Sequence, residues 1–217
     1  FTSGSSSTFR SGIVATAPSS ISLAGTISTW YLGNITIGDG DTNLSASGNA
    51  YIFSLANSSI QIGATTLANG AYFTIGSGSA NPISLSSISG TTGGSSSNIT
   101  INTTGAVTVS GAIGTDIGTL TITNSGGTTF SSTVDATTVT LTNTTGTIAF
   151  NGALTATTLN TAAQAYNLAL NASTGTITNA VSMINTGTVT LGTSGGTLAF
   201  TGGLTATAPA PLLSTAQ

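Results

Sequence analysis

The stretch TVTLTNTTGTIAFNGALTAT at residues 138–157 returns at residues 188–207 as TVTLGTSGGTLAFTGGLTAT, with most of its letters unchanged. A chain that restates a phrase of this length is built from a unit, and a period near twenty belongs to stacked repeat architectures. Aligning the chain on the glycine after each polar turn extends the unit. Gly105, Gly126, Gly146, Gly175 and Gly196 mark successive units at a near-constant interval, except that the one from Gly146 to Gly175 is longer.

Apolar residues then form columns. Four or five positions before the glycine stand Ile101, Ile122, Leu141, Leu170 and Leu191, and two positions earlier Ile99, Leu120, Val139, Leu168 and Val189. With Thr between them, this alternation is the pattern of a half-buried strand. Four positions after the glycine come Val109, Phe130, Phe150, Asn179 and Phe200, a column that Asn179 breaks; eight after it come Ile113, Val134, Leu154, Met183 and Leu204. Each unit reads as strand, polar turn, strand, corner, and turns such as NTTG and NSGG carry the side chains and glycines that such corners need.

The pattern predicts an all-β parallel solenoid (β-helix) with coils of about 20 to 29 residues, in which like residues stack on like at about 4.8 Å. Val139, Leu141, Phe150 and Leu154 become rungs that Val189, Leu191, Phe200 and Leu204 continue, with Phe130 in the column of Phe150. The long interval reads as an ordinary unit carrying a corner loop, TLNTAAQAY, residues 158–166. Antiparallel β-sandwich modules are the alternative, although neighbouring strands there need not resemble one another at a fixed period. The organisation expected is an extended N-terminal segment at 1–20, irregular β coils or a small β module at 21–97, regular repeats at 98–208 and a tail at 209–217.

Composition excludes most chemistry. Among 217 residues there is no His, no Cys, one Lys or Arg (Arg10) and four acidic residues, all Asp. Imidazole, thiol and most acid–base catalysis lack their residues, so the chain is read as a non-enzyme without a required cofactor. Nucleic acid is excluded as a partner because phosphate neutralisation needs several cations. No run reaches the roughly 18 apolar residues of a spanning helix, and a start at FTSGSSSTFR with neither Met nor signal pattern is read as a processed or excised piece of something longer. Ser and Thr number 77 and only 2% of residues are charged, while mean hydropathy is +0.38. Such a surface has almost no charge repulsion between copies, so other copies of itself are the expected partner. The Ser, Thr, Gly and Asn bias points to a secreted or cell-surface location.

The units GTLTITNSGGTTFSSTVDATT (118–138) and GTVTLGTSGGTLAFTGGLTAT (187–207) resemble the β-strand repeats of very large bacterial surface exoproteins, the filamentous-haemagglutinin-like group. The likeness covers about residues 98–208. It implies a secreted right-handed β-helix that forms fibres or adhesive stalks. The Asn-Pro motifs of that group's secretion domain are represented only by Asn81-Pro82, so no such domain is assigned.

A few residues suggest sites. Asp39, Asp41 and Asn43 have a spacing that can place oxygens around Ca²⁺. An EF-hand would need glycine where Leu44 stands, and a solvated Asp-Gly turn explains the same letters. Trp30, Tyr31, Tyr51 and Tyr72 gather in the N-terminal part and would stack on surface glycans in an adhesin. Asp39 and Asp41 also offer the carboxylate pair of a glycosidase on a β-helix, but nothing marks a cleft around them. Strands such as TLTIT and TVTLT match the Thr rows of ice-binding solenoids, although outward Thr suits any exposed strand. Seven glycosylation sequons, Asn34, Asn43, Asn57, Asn98, Asn102, Asn143 and Asn171, are about what this Ser/Thr-rich composition yields by chance.

Overall fold

The computed structural model describes strand backbone from Ile13 to Ser214, and side chains for residues 59–192 and 196–207 together with Ile52. Residues 1–12, 16–20, 25–29, 32–34, 38–43, 48, 55–58, 193–195, 208–212 and 215–217 lie outside the description.

Every described strand pairing is parallel, and the chain winds past three faces in turn. The first face is a ten-stranded sheet: Ile13–Ala15, Ile35–Ile37, Ile60–Ile62, Ile83–Leu85, Val107–Val109, Thr128–Phe130, Thr147–Phe150, Asn167–Leu170, Val189–Leu191 and Leu213–Ser214. The second face runs from Ile21–Ala24 through Thr65–Leu67 and Ile113–Gly114 to Thr174–Ile177 and Thr197–Phe200. The third includes Tyr72–Ile75, Ser97–Asn102 and Ile117–Asn124, and ends in the pair Val181–Met183 and Leu204–Ala206. Two long strands, Val134–Leu141 and Leu154–Asn160, cross from the second face to the third without interruption. This is a β-solenoid, and its sheets pass residue 98 without a break: Ile60, Ile83 and Val107 are successive partners, as are Phe73, Ile99 and Leu120.

Length follows from alternation. Burial along Val134–Leu141 runs in and out except at Thr137 and Thr138, two consecutive outward residues where the strand bends between faces. Inward residues stack into a single core. On the first face Ile83, Val107, Thr128, Ile148, Leu168 and Val189 form one rung column, and Leu85, Val109, Phe130, Phe150, Leu170 and Leu191 the next. Phe130 and Phe150 stack with ring centroids 4.7 Å apart and planes 10° from parallel. Thr128 is the polar member, buried with its hydroxyl donating to Ser125 Oγ at 3.0 Å, so no donor is stranded in the core.

The columns correct the reading of the sequence. First-face partners follow one another evenly from Val107 through Thr128, Ile148 and Leu168 to Val189, so no long coil lies between Gly146 and Gly175. The widest step on this face is instead upstream, from Ile35 to Ile60, and it exceeds the others by only a few positions. Val139 stacks on Leu159, not toward Val189; Phe150 stacks on Leu170 and then Leu191; Leu154 meets Gly175 and then Leu198. Phe200 pairs with Ile177 and Leu204 with Val181, and Asn179 breaks no column because it belongs to none of these. The segment 158–166 is not a hung loop. Residues 158–160 finish a strand, and Tyr166 is fully buried.

The physical cause is a shift of one face between the two copies of the repeated phrase. TVTL lies on the third face at 138–141 and on the first at 189–191; TIAF lies on the first face at 147–150, and TLAF on the second at 197–200. The copies are thus offset by two coils and one face. All three faces ask for the same alternation, so one phrase fits each of them.

The corner leading from the third face back to the first is where glycine is needed for close approach. A Cβ on Gly126 would lie 2.6 Å from the Thr104 carbonyl oxygen, and one on Gly146 2.6 Å from that of Gly126. Buried polar residues line the same corner. The Thr103 hydroxyl donates to the Asn81 carbonyl at 2.6 Å, Thr144 to the Ser125 carbonyl at 2.6 Å, and the Asn185 amide to the Tyr166 carbonyl at 3.0 Å. Each bond ties one coil to the preceding one and satisfies a carbonyl at a turn.

Candidate functional site

Outward residues accumulate at the bend between the second and third faces. The outer surface is hollowed beside Thr137, and outward residues of the following coils, Thr157 and Thr178, continue the hollow. The resulting open groove has a volume of about 230 Å³ and is lined by Ser96, Asp116, Asp135, Thr137, Thr155, Thr157 and Thr178, together with the apolar Ile117, Ala136 and Ala156. Asp135 and Thr155 are register partners on one bank. Asp135, Thr137, Thr155, Thr157 and Thr178 are exposed.

One end is lined by Ser96, in the segment 91–96 between strands Ile88–Gly90 and Ser97–Asn102. Ser96 Oγ donates to Asp116 Oδ1 at 2.7 Å, while Asp116 Oδ2 is buried without a hydrogen-bond partner. Thr115 and Asp116 hold φ of +55° and +60°, the left-handed region that non-glycine residues enter at a cost. Their carbonyls accept from Gly90 N at 2.7 Å and Ser97 N at 3.0 Å, which fixes the turn against the preceding coil.

The residues singled out in the sequence are distributed differently. Asp39, Asp41 and Asn43, the calcium candidates, lie outside the described residues. Trp30, Tyr31 and Tyr51 lie in strands whose side chains are outside the description. In register Trp30 pairs with Phe53, Tyr31 with Ser54 and Tyr51 with Thr74, and Tyr72 pairs with Asn49 and Asn98, so no two of the four aromatics are partners. Tyr72 is 57% exposed. Among the described residues no three acidic, His or Cys side chains come together, and no helix is long and apolar enough to cross a membrane.

Sequence reasoning passed over Asp116 and Asp135. Half of the chain's acidic residues sit at one groove, but they are distant in the chain and only the coil period brings them to neighbouring rungs.

Fold and groove together define a parallel β-solenoid with an open, hydroxyl-lined furrow on its flank. No family model matches the chain, and no curated protein or solved structure matches it.

Proposed function

We propose that the chain is a structural, self-associating segment of an extracellular or cell-surface fibre. The observation that carries this reading is the unbroken parallel stack with an outer surface of hydroxyls and amides and almost no charge. Each coil buries both of its edges against neighbours, and nothing in the repeat limits its number. Among the described residues Thr197–Phe200 and Leu204–Ala206 each pair on one side only, and Leu198, Phe200 and Leu204 are only partly buried. A further rung would cover those side chains and take up the free backbone groups. An edge of a second copy can supply that rung. The likeness to filamentous-haemagglutinin-like repeats supports the same reading.

Light scattering and negative-stain microscopy of the purified chain over a range of concentrations test it. Rods or filaments growing with concentration are expected. Monomers at every concentration, with no fibres, overturn self-association.

A further inference from the structure

The furrow between the second and third faces has a specific chemistry. Its side chains are hydroxyls (Ser96, Thr137, Thr155, Thr157, Thr178) and two carboxylates (Asp116, Asp135), with no cation beside them among the described residues. An anionic ligand would meet those carboxylates uncompensated, and an apolar one would find little surface to bury against. Hydroxyls that both donate and accept, beside carboxylates that only accept, match a ligand that is itself made of hydroxyls. Sugar hydroxyls donating to Asp135 would form the stronger, charge-assisted kind of bond.

Shape adds direction. The lining comes from five successive coils, which at about 4.8 Å per step makes a furrow about 19 Å long, parallel to the solenoid axis. A linear ligand fills it and a compact one does not. The Thr side chains are β-branched and set on paired strands, so their hydroxyls are held in place before binding. Beyond the Ser96 end, Asn98 is the register partner of Tyr72, whose exposed ring offers a flat surface for stacking.

We propose that this furrow binds a linear, neutral polysaccharide laid along the axis, with Asp135, Thr137 and Thr157 as its hydrogen-bonding contacts. The proposal is independent of self-association, since a monomer carries the whole furrow.

The full chain is first applied to an array of neutral and anionic glycans. Glucose and N-acetylglucosamine hexasaccharides, with their shorter homologues, are then titrated by calorimetry, alongside calcium alone. Retention of at least one neutral linear glycan is expected, with affinity rising with chain length. Asp135→Asn should weaken binding about tenfold, and Thr137→Val and Thr157→Val should each weaken it measurably. Thr108→Val on the first face should leave binding unchanged, and all four variants should melt as the parent does. The proposal is overturned if no neutral glycan is retained, if anionic glycans are preferred, or if the furrow variants bind like the parent. Loss of binding with a chelator, together with titration by calcium alone, would make the furrow a cation site and equally overturn it.

Discussion

Gly126 and Gly114 lie close in the chain and have opposite reasons for being glycine. A methyl on Gly126 would press 2.6 Å from the Thr104 carbonyl oxygen, backbone against backbone, whereas one on Gly114 would meet Asp135 Cβ at an ordinary 3.5 Å. Gly126→Ala should therefore destabilise by about 1–3 kcal/mol through forced backbone shifts. Gly114→Ala should stabilise by up to about 1 kcal/mol by restricting the unfolded chain. Urea midpoints of the two variants moving in the same direction would contradict this account. Tyr166 shows how a buried polar tip is tolerated: the Ala162 N–H donates to its hydroxyl at 3.1 Å, and that hydroxyl donates to the Leu141 carbonyl at 3.3 Å. Burial pushes its pKa above the usual 10.0, more than the Ala162 and Thr161 hydrogen bonds pull it down. The folded state thus favours the protonated phenol. That contribution is fully present below about pH 10 and is lost as pH rises from there through the folded pKa. Tyr166→Phe should cost about 1–3 kcal/mol at neutral pH by orphaning its partners, and it should remove part of the alkaline loss, read by denaturation at neutral pH and again in strong alkali.

At the scale of the strand, the solenoid counts in coils while the sequence counts in phrases. Removing residues 148–167 deletes one whole interval between the register partners Ile148 and Leu168, so Leu168 inherits the place of Ile148 beside Thr128. That variant should keep a β-rich circular-dichroism spectrum and a folded core. Deleting Thr138 alone inverts inside and outside for Val139, Thr140 and Leu141, the rest of its strand, and should lose a large part of the melt. Equal tolerance of both deletions would refute in-register stacking. The same distinction explains what could be read in the letters. Strand positions such as Phe130 and Phe150 were legible because in–out alternation is local. The phase was not, because Val139 and Val189 stand in identical words on different faces, and no local signal separates the faces. The corner at 161–166 misled for a related reason: it replaces a short glycine turn with Tyr166, an apolar plug that looks like inserted loop. The furrow was illegible because it consists of outward residues from five coils that become neighbours only through stacking.

Across the whole molecule, contacts run from coil to coil and seldom further, so stability is spread along an axis instead of gathered at a centre. Charge contributes little to it: Asp116 and Asp135 are the only acidic residues among those whose side chains are described, and the whole chain carries four. Sodium chloride has few ion pairs to screen, so association measured by light scattering should stay flat between low and molar concentrations. Sulfate, which strengthens burial by exclusion from surfaces, should promote association. Fibres that dissolve in sodium chloride would point instead to ionic contacts. The displacement of the repeated phrase by one face bears on how such a chain grows. A segment that serves any of three walls need not be copied in whole turns, because a duplication ending a third of a turn early still presents apolar residues inward. Genetic copying errors of many lengths then yield foldable descendants, and the solenoid can lengthen through events that would ruin a fold with a single fixed frame.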